Sequence, residues 1–121
     1  SMTSLARVVL PHFTSRGQGQ FVVTSSYLGR LPLPFTATYC ATKHAVTAFF
    51  DVLRLENAGR GVRVTTVHPS FVDTRLVTSL QGTPADIRVC QGFMSHPLMQ
   101  TTRLRAERVA HLALVAAAND H

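Results

Sequence analysis

The sequence lacks the features that mark several large protein classes. No apolar run reaches the roughly 18 residues that a membrane-spanning helix needs, and no basic stretch followed by an apolar one opens the chain as in a signal peptide. Only 15% of the 121 residues are charged, whereas 45% are hydrophobic, which is typical of a folded domain. Two cysteines, Cys40 and Cys90, are too few for a disulfide framework, so we expect reduced intracellular thiols.

Basic residues outnumber acidic ones by 12 to 6, and Lys43 is the only lysine. The arginines are scattered and are not interleaved with aromatic residues, so no nucleic-acid partner is predicted. The histidines show no H-x-x-x-H spacing and the cysteines no C-x-x-C spacing, so no metal site is predicted either.

Apolar periodicity predicts alternating helices and strands. The expected elements are a helix over 3–15 that Pro11 should kink, a strand over 20–24, a helix over 38–58, a strand over 62–67, an irregular segment over 76–99 and a helix over 104–118. This order implies a parallel β-α-β unit. Because two parallel strands alone do not form a stable sheet, we predict an α/β fold that is half of a larger domain.

Two of the predicted helices carry wide apolar surfaces. The long helix has two adjacent apolar stripes, so we expect it to be covered on two sides, for example by a sheet and by another helix. Its stripes are Ala45, Ala48, Phe49 and Val52, and Val46, Phe49, Phe50 and Leu53. The last helix is Ala-rich over 112–118, and we expect it to be buried.

Tyr39 and Lys43 are four residues apart at the start of the long helix. Their side chains therefore project from one face, about 6 Å apart along the axis, and an ammonium beside a phenol favours the phenolate. Ser26 follows the first strand, at the sheet edge where ligand sites collect in open parallel sheets. Its hydroxyl is placed to donate to a carbonyl oxygen that gains negative charge. The ordinary alternatives are a surface Tyr–Lys pair, and Ser25 and Ser26 as polar groups that cap the turn.

The loop 68–74 follows the second strand and should open on the same edge of the sheet. Its backbone groups and the Thr74 hydroxyl suit an amide ligand, whereas the ordinary alternative is a turn with Asp73 or Thr74 as a helix N-cap. A serine hydrolase would need Gly-x-Ser-x-Gly, but Thr24 and Leu28 stand in the glycine positions around Ser26.

Three segments in register resemble the short-chain dehydrogenase/reductase family, and the stretch 39–55 resembles most of all its dehydrogenase/reductase member seven subgroup. They are 21–29 (Phe-Val-Val-Thr-Ser-Ser-Tyr-Leu-Gly), 39–45 (Tyr-Cys-Ala-Thr-Lys-His-Ala) and 69–74 (Pro-Ser-Phe-Val-Asp-Thr). The resemblance implies part of a Rossmann-like doubly wound parallel sheet. It divides the chain into a dimer-type helix (1–19), a catalytic strand–helix–strand unit (20–75), a substrate loop (76–100) and a terminal helix (101–121).

The resemblance also implies an activity, namely carbonyl–alcohol interconversion by hydride transfer with a nicotinamide cofactor. Tyr39 would be the acid or base, Lys43 would favour the phenolate and bind the nicotinamide ribose, and Ser26 would hold the substrate oxygen. The cofactor would be NAD or NADP, with NADP slightly favoured. Its binding residues would be Tyr39, Lys43, Pro69, Val72 and Thr74.

For the substrate, the resemblance implies a small carbonyl or alcohol compound of apolar, lipid-like or aromatic character, bound by Ser26, Leu28 and Leu76. It further implies a homo-oligomer formed through the helices near 3–15 and 38–58. The location would be the cytoplasm, or the endoplasmic reticulum membrane if an anchor precedes this chain. No membrane segment is expected within the chain itself.

The chain departs from the family pattern at the glycine-rich phosphate turn. That turn follows a strand and opens a helix, whereas Gly17-Gln18-Gly19 precedes a strand. Ser70 also stands where the family usually has glycine. We expect the nucleotide-binding half and the last strand to lie outside this chain, and the chain alone to be inactive. The alternative function is a non-catalytic fragment or isoform that acts as a dimerisation or interaction module.

Overall fold

The computed structural model describes residues 1–34, 36–70, 72 and 104–119. The elements are α1 (Met2–Arg16), β1 (Gly19–Thr24), a 3₁₀ turn (Tyr27–Gly29), α2 (Ala37–Glu56), β2 (Val62–Val67) and α3 (Ala106–Asn119). This order confirms the predicted helix–strand–helix–strand–helix sequence, and each predicted boundary lies within two residues of the observed one. The irregular segment predicted over 76–99 lies outside the described residues.

Strands β1 and β2 pair in parallel, from Gly19 opposite Val62 to Thr24 opposite Val67. The pairing continues past the strand ends, because the Ser25 N–H donates to the Val67 carbonyl at 2.8 Å. The Tyr27 N–H likewise donates to the Pro69 carbonyl at 2.8 Å. The residues after β1 and after β2 are therefore held side by side at one edge of the sheet, as the sequence predicts.

The core lies between one face of this sheet and the helices α1 and α2. It consists of the buried residues Ala6, Val23, Val46, Phe50, Leu53 and Val64. Aromatic rings join the layers: the Phe21 ring centroid in β1 is 5.0 Å from that of Phe13 in α1 and 5.9 Å from that of Phe50 in α2. Such pairs add about 0.5–1.5 kcal/mol each beyond the apolar area that they bury.

Only one of the two apolar stripes of α2 is covered by the described part of the chain. Val46, Phe50 and Leu53 are buried, whereas Ala45 and Ala48 are exposed and Val52 is 51% exposed. The described residues therefore cover this helix on one side, and cover of its other side stays a prediction. The sheet covers the stripe of Val46, Phe50 and Leu53, and α1 packs where that stripe meets the sheet instead of along the stripe of Ala45, Ala48 and Val52.

Helix α3 contacts the opposite face of the sheet. The Gln20 side-chain amide donates to Thr65 Oγ1 at 3.2 Å and to the Ala117 carbonyl at 2.9 Å. Ala117 is the buried residue of this helix, while Leu114 is 71% exposed. The expectation of a buried last helix is wrong here, because β1 and β2 offer a narrow surface on that side. None of the helices in these ranges is long and apolar enough to cross a bilayer.

Candidate active site

The Ser25 hydroxyl joins β1 to α2 through hydrogen bonds. It is buried, and its Oγ lies 2.8 Å from Thr47 Oγ1 and 3.4 Å from the Lys43 carbonyl oxygen. The Thr47 hydroxyl in turn donates to that same carbonyl at 2.9 Å. Ser25 therefore fills the structural role that strand-end serines ordinarily have.

Ser26 is bonded differently although it is the next residue. It is the N-cap of the 3₁₀ turn Tyr27–Gly29, and its Oγ accepts a hydrogen bond from the Leu28 N–H at 3.2 Å. A hydroxyl has one proton to donate and two lone pairs to accept with. Because the bond to Leu28 uses a lone pair, the Ser26 proton stays available for another acceptor.

Tyr39 and Lys43 lie on one face of α2, as their spacing predicts. The Lys43 Nζ is 5.7 Å from the centroid of the Tyr39 ring, and both residues are half-buried. This distance is within the about 6 Å over which an ammonium is attracted to an aromatic face. Lys43 thus places a positive charge beside the phenol.

The turn that carries Ser26 packs directly against the part of α2 that carries Lys43. Gly29 makes this approach possible, because a Cβ on it would lie 2.7 Å from Ser25 Oγ and 3.1 Å from the Lys43 carbonyl oxygen. An ion pair continues the contact, with Arg30 Nη2 at 3.1 Å from Asp51 Oδ2. The fold therefore brings the turn that Ser26 begins against the helix at Lys43 and Thr47, one turn beyond Tyr39.

The residues after β2 adjoin the same turn. The Pro69 carbonyl accepts from the Tyr27 N–H, and the His68 Nδ1 lies 3.1 Å from the Ser26 carbonyl oxygen. Leu28, Pro69 and Val72 are half-buried. Val72 also forms an isolated parallel bridge with Leu104, just before α3. The sequence-predicted residues Thr74 and Leu76 lie outside the described part of the chain.

Three residues of this region have no individual role predicted from the sequence, namely Thr47, Gly29 and His68. Thr47 carries a signal, because it is a polar residue next to Val46 in the buried stripe of a helix and is itself buried. Gly29 and His68 are recognisable only once the strands are paired.

Cys40 is buried and free, with its Sγ 3.1 Å from Thr36 Oγ1. No group of three potential metal-ligating side chains occurs in the described ranges.

Comparison with known proteins finds relatives that all belong to one family. The family model for short chain dehydrogenase matches residues 1–85. Dehydrogenase/reductase SDR family member 7 of Homo sapiens is 36% identical over 119 residues, which are 97% of this chain and 33% of that protein. Member 7C of Xenopus tropicalis is 44% identical over 69 residues, which are 57% of this chain and 22% of that protein.

Solved structures show the same likeness. The chain superposes on carveol dehydrogenase from Mycobacterium avium, solved in complex with NAD, with a TM-score of 0.66 and 27% identity over 93% of this chain and 44% of the other. For a short-chain dehydrogenase from Streptomyces avermitilis the TM-score is 0.57 at 25% identity, over 94% and 54% of the two chains. The predicted α/β fold of Rossmann type is confirmed. The chain spans between about a fifth and a third of the curated relatives it matches.

Proposed function

Because the chain belongs to the short-chain dehydrogenase family, we propose that its protein is an oxidoreductase that interconverts a carbonyl and an alcohol by hydride transfer with a nicotinamide cofactor. The family assignment and the likeness to its member seven subgroup are confirmed by the relatives described above. Membership makes an oxidoreductase the expected class. The particular reaction is the proposal, and it rests on the residues of the candidate site.

One observation carries this proposal: the turn in which the Ser26 hydroxyl keeps a proton to donate packs against α2, the helix that carries Tyr39 and Lys43. In the reductive direction, the Ser26 Oγ–H would donate a hydrogen bond to the substrate carbonyl oxygen. The Tyr39 hydroxyl would then give its proton to that oxygen as it becomes an alcohol. In the oxidative direction Tyr39 would take the proton back, and Lys43 would supply positive charge beside it.

The residues present fit the nicotinamide end of the cofactor. The Lys43 ammonium has three N–H donors, which suit the hydroxyls of a ribose. The Pro69 carbonyl keeps a second lone pair after accepting from Tyr27, and Val72 and Thr74 follow it in the sequence. When bound, the nicotinamide supplies or accepts the hydride. We propose NAD or NADP as the cofactor, with NADP preferred.

For the substrate we propose a small apolar carbonyl or alcohol compound, bound by Ser26, Leu28 and Leu76. We also propose that the protein is a homo-oligomer joined through α1 and α2. Val8 of α1 is 76% exposed and Leu55 of α2 is 74% exposed, so both helices present apolar side chains for a partner to cover. These exposed side chains equally support the alternative of a non-catalytic interaction module.

The substitution Tyr39→Phe in the complete protein tests the reaction. It removes the transferable proton and keeps the ring, so we expect turnover to fall at least about a hundredfold. Carbonyl reduction would be followed by the nicotinamide absorbance, with NADPH and NADH in parallel. The matched control is Tyr27→Phe, because the contact of Tyr27 with the Pro69 loop is made by its backbone N–H.

The possible results separate the proposals. Equal turnover of Tyr39→Phe and the wild type would refute the role of the tyrosine. Higher kcat/KM with NADH than with NADPH would refute the preference for NADP. A wild-type protein that turns over none of a broad set of carbonyl and alcohol substrates would favour the interaction module.

A further inference from the structure

The backbone ladder between the two strands lacks one hydrogen bond, beside Ser26. The bonds from Ser25 to Val67 and from Tyr27 to Pro69 place Ser25 opposite His68 in the parallel register. In such a ladder the next bond would run from the N–H of residue 69 to the Ser25 carbonyl. Residue 69 is a proline and has no N–H, so the ladder is interrupted one residue before Ser26.

The His68 side chain provides a cross-strand bond at this interruption. Its Nδ1 lies 3.1 Å from the Ser26 carbonyl oxygen. A carbonyl oxygen can only accept, so Nδ1 must carry the proton. In a neutral imidazole the other nitrogen is then an acceptor. The His68 Nε2 is buried, and among the described residues it has no partner. The ring therefore makes a single hydrogen bond here, and that bond ends on Ser26.

We infer that His68 is a positioning residue that fixes Ser26 for its reaction, an inference that rests on the proposed function. Two other bonds hold Ser26, from the Leu28 N–H to its Oγ and from the Gly29 N–H to its carbonyl. Both lie within the 3₁₀ turn and set its internal shape. The bond from His68 joins Ser26 itself to the end of β2, where the proposed nicotinamide loop begins.

The chemistry explains why such a tie matters. A hydroxyl that stabilises a developing oxyanion acts only when it is held within about 0.5 Å of its productive position. A displacement of about 1 Å can cost roughly a hundredfold in rate. Loss of the His68 bond would therefore lower kcat and leave KM largely unchanged, because the cofactor and substrate pockets keep their other contacts.

The tautomer of His68 is the first test, and it does not depend on activity. We expect the ¹⁵N spectrum of the neutral ring in the complete protein to show a protonated Nδ1 and an unprotonated Nε2. The signal is assigned by its loss in His68→Asn. A neutral ring protonated at Nε2 would overturn the inference, because it could not donate to Ser26 in the observed orientation.

The second test compares two substitutions at the same position. His68→Leu removes the donor, and we expect kcat to fall at least about tenfold. In His68→Asn the side-chain amide nitrogen stands near the Nδ1 position, so we expect it to restore most of kcat. His44→Leu is the control, because His44 Nδ1 also lies 2.9 Å from a backbone carbonyl, that of Cys40, but does not touch Ser26.

Combining the substitutions separates a positioning role from a merely structural one. In a Ser26→Ala background the hydroxyl is gone, so His68→Leu should have little further effect on kcat. An undiminished effect in that background, or wild-type kcat in His68→Leu alone, would overturn the inference. The proposed reaction itself is tested separately, by Tyr39→Phe.

Discussion

Two neighbouring serines at the end of β1 have the same side chain but different hydrogen bonds. The Ser25 hydroxyl is buried between Thr47 and the Lys43 carbonyl, and it joins a strand to a helix. The Ser26 hydroxyl accepts from the turn that it begins. Removing the first should therefore act on stability alone, and removing the second should also act on the proposed chemistry.

The matched pair Ser25→Ala and Ser26→Ala tests this division in the complete protein. For Ser26→Ala we expect kcat to fall by roughly 10²–10³, the usual effect of losing one oxyanion donor, together with a loss of about 1 kcal/mol of unfolding free energy, because the Leu28 N–H loses its cap. For Ser25→Ala we expect a loss of about 1 kcal/mol of unfolding free energy in urea titration, with kcat close to that of the wild type. A fall in kcat for Ser25→Ala without one for Ser26→Ala would assign the chemistry to Ser25.

At the scale of residues, spacing predicts some contacts and misses others. The i, i+4 spacing of Tyr39 and Lys43 was enough to place them on one helix face, because both belong to the same element. The bonds of Ser25 and Ser26 reach Thr47 and His68, which are 22 and 42 residues away in the chain. Such contacts depend on strand register and helix docking, which no local pattern specifies.

At the scale of elements, hydrophobic period and turn residues predicted the helices and strands closely. Glycines indicated where helices end, since Gly17 ends α1 in the left-handed conformation at φ 69°. What the pattern could not predict is which apolar face is covered, because burial depends on the neighbouring element. That is why the stripe of Ala45, Ala48 and Val52 on α2 and the surface of α3 are exposed in the described part of the chain.

Gly29→Ala tests the contact between the 3₁₀ turn and α2. The new methyl group would lie 2.7 Å from Ser25 Oγ and 3.0 Å from Thr47 Oγ1, so the turn must move away from the helix. We expect a loss of about 1–3 kcal/mol in unfolding free energy, as for other overpacked sites. Because Ser26 moves with this turn, kcat should fall at least about tenfold.

The control for this substitution is Gly17→Ala, at the opposite end of β1. Its φ is positive and a Cβ there would meet nothing within 4 Å, so it costs about 1–2 kcal/mol of backbone strain without a collision. We expect it to lower the melting temperature and leave kcat unchanged. A Gly29→Ala protein with wild-type kcat would show that the position of the turn does not matter for turnover.

At the scale of the whole molecule, we propose that this chain holds one part of the cofactor-binding site. The described sheet has two strands, whereas the relatives are three to five times longer than the aligned segments. The residues proposed for the nicotinamide end and for proton transfer are in this chain. A glycine-rich turn for the pyrophosphate is not in its sequence, and Gly17 and Gly19 instead close α1 and begin β1.

We therefore expect the 121-residue chain alone to show no micromolar binding of NADH or NADPH by calorimetry, whereas the complete protein binds one of them. A dinucleotide gains much of its affinity where backbone N–H groups at a helix N-terminus meet the pyrophosphate. Lys43 and the Pro69 loop offer contacts to the ribose and the amide only. Micromolar binding by the isolated chain would mean that it contains a pyrophosphate-binding site other than the glycine-rich turn. The division of the site between this chain and the rest of the protein would then be wrong, even if Tyr39 kept its role.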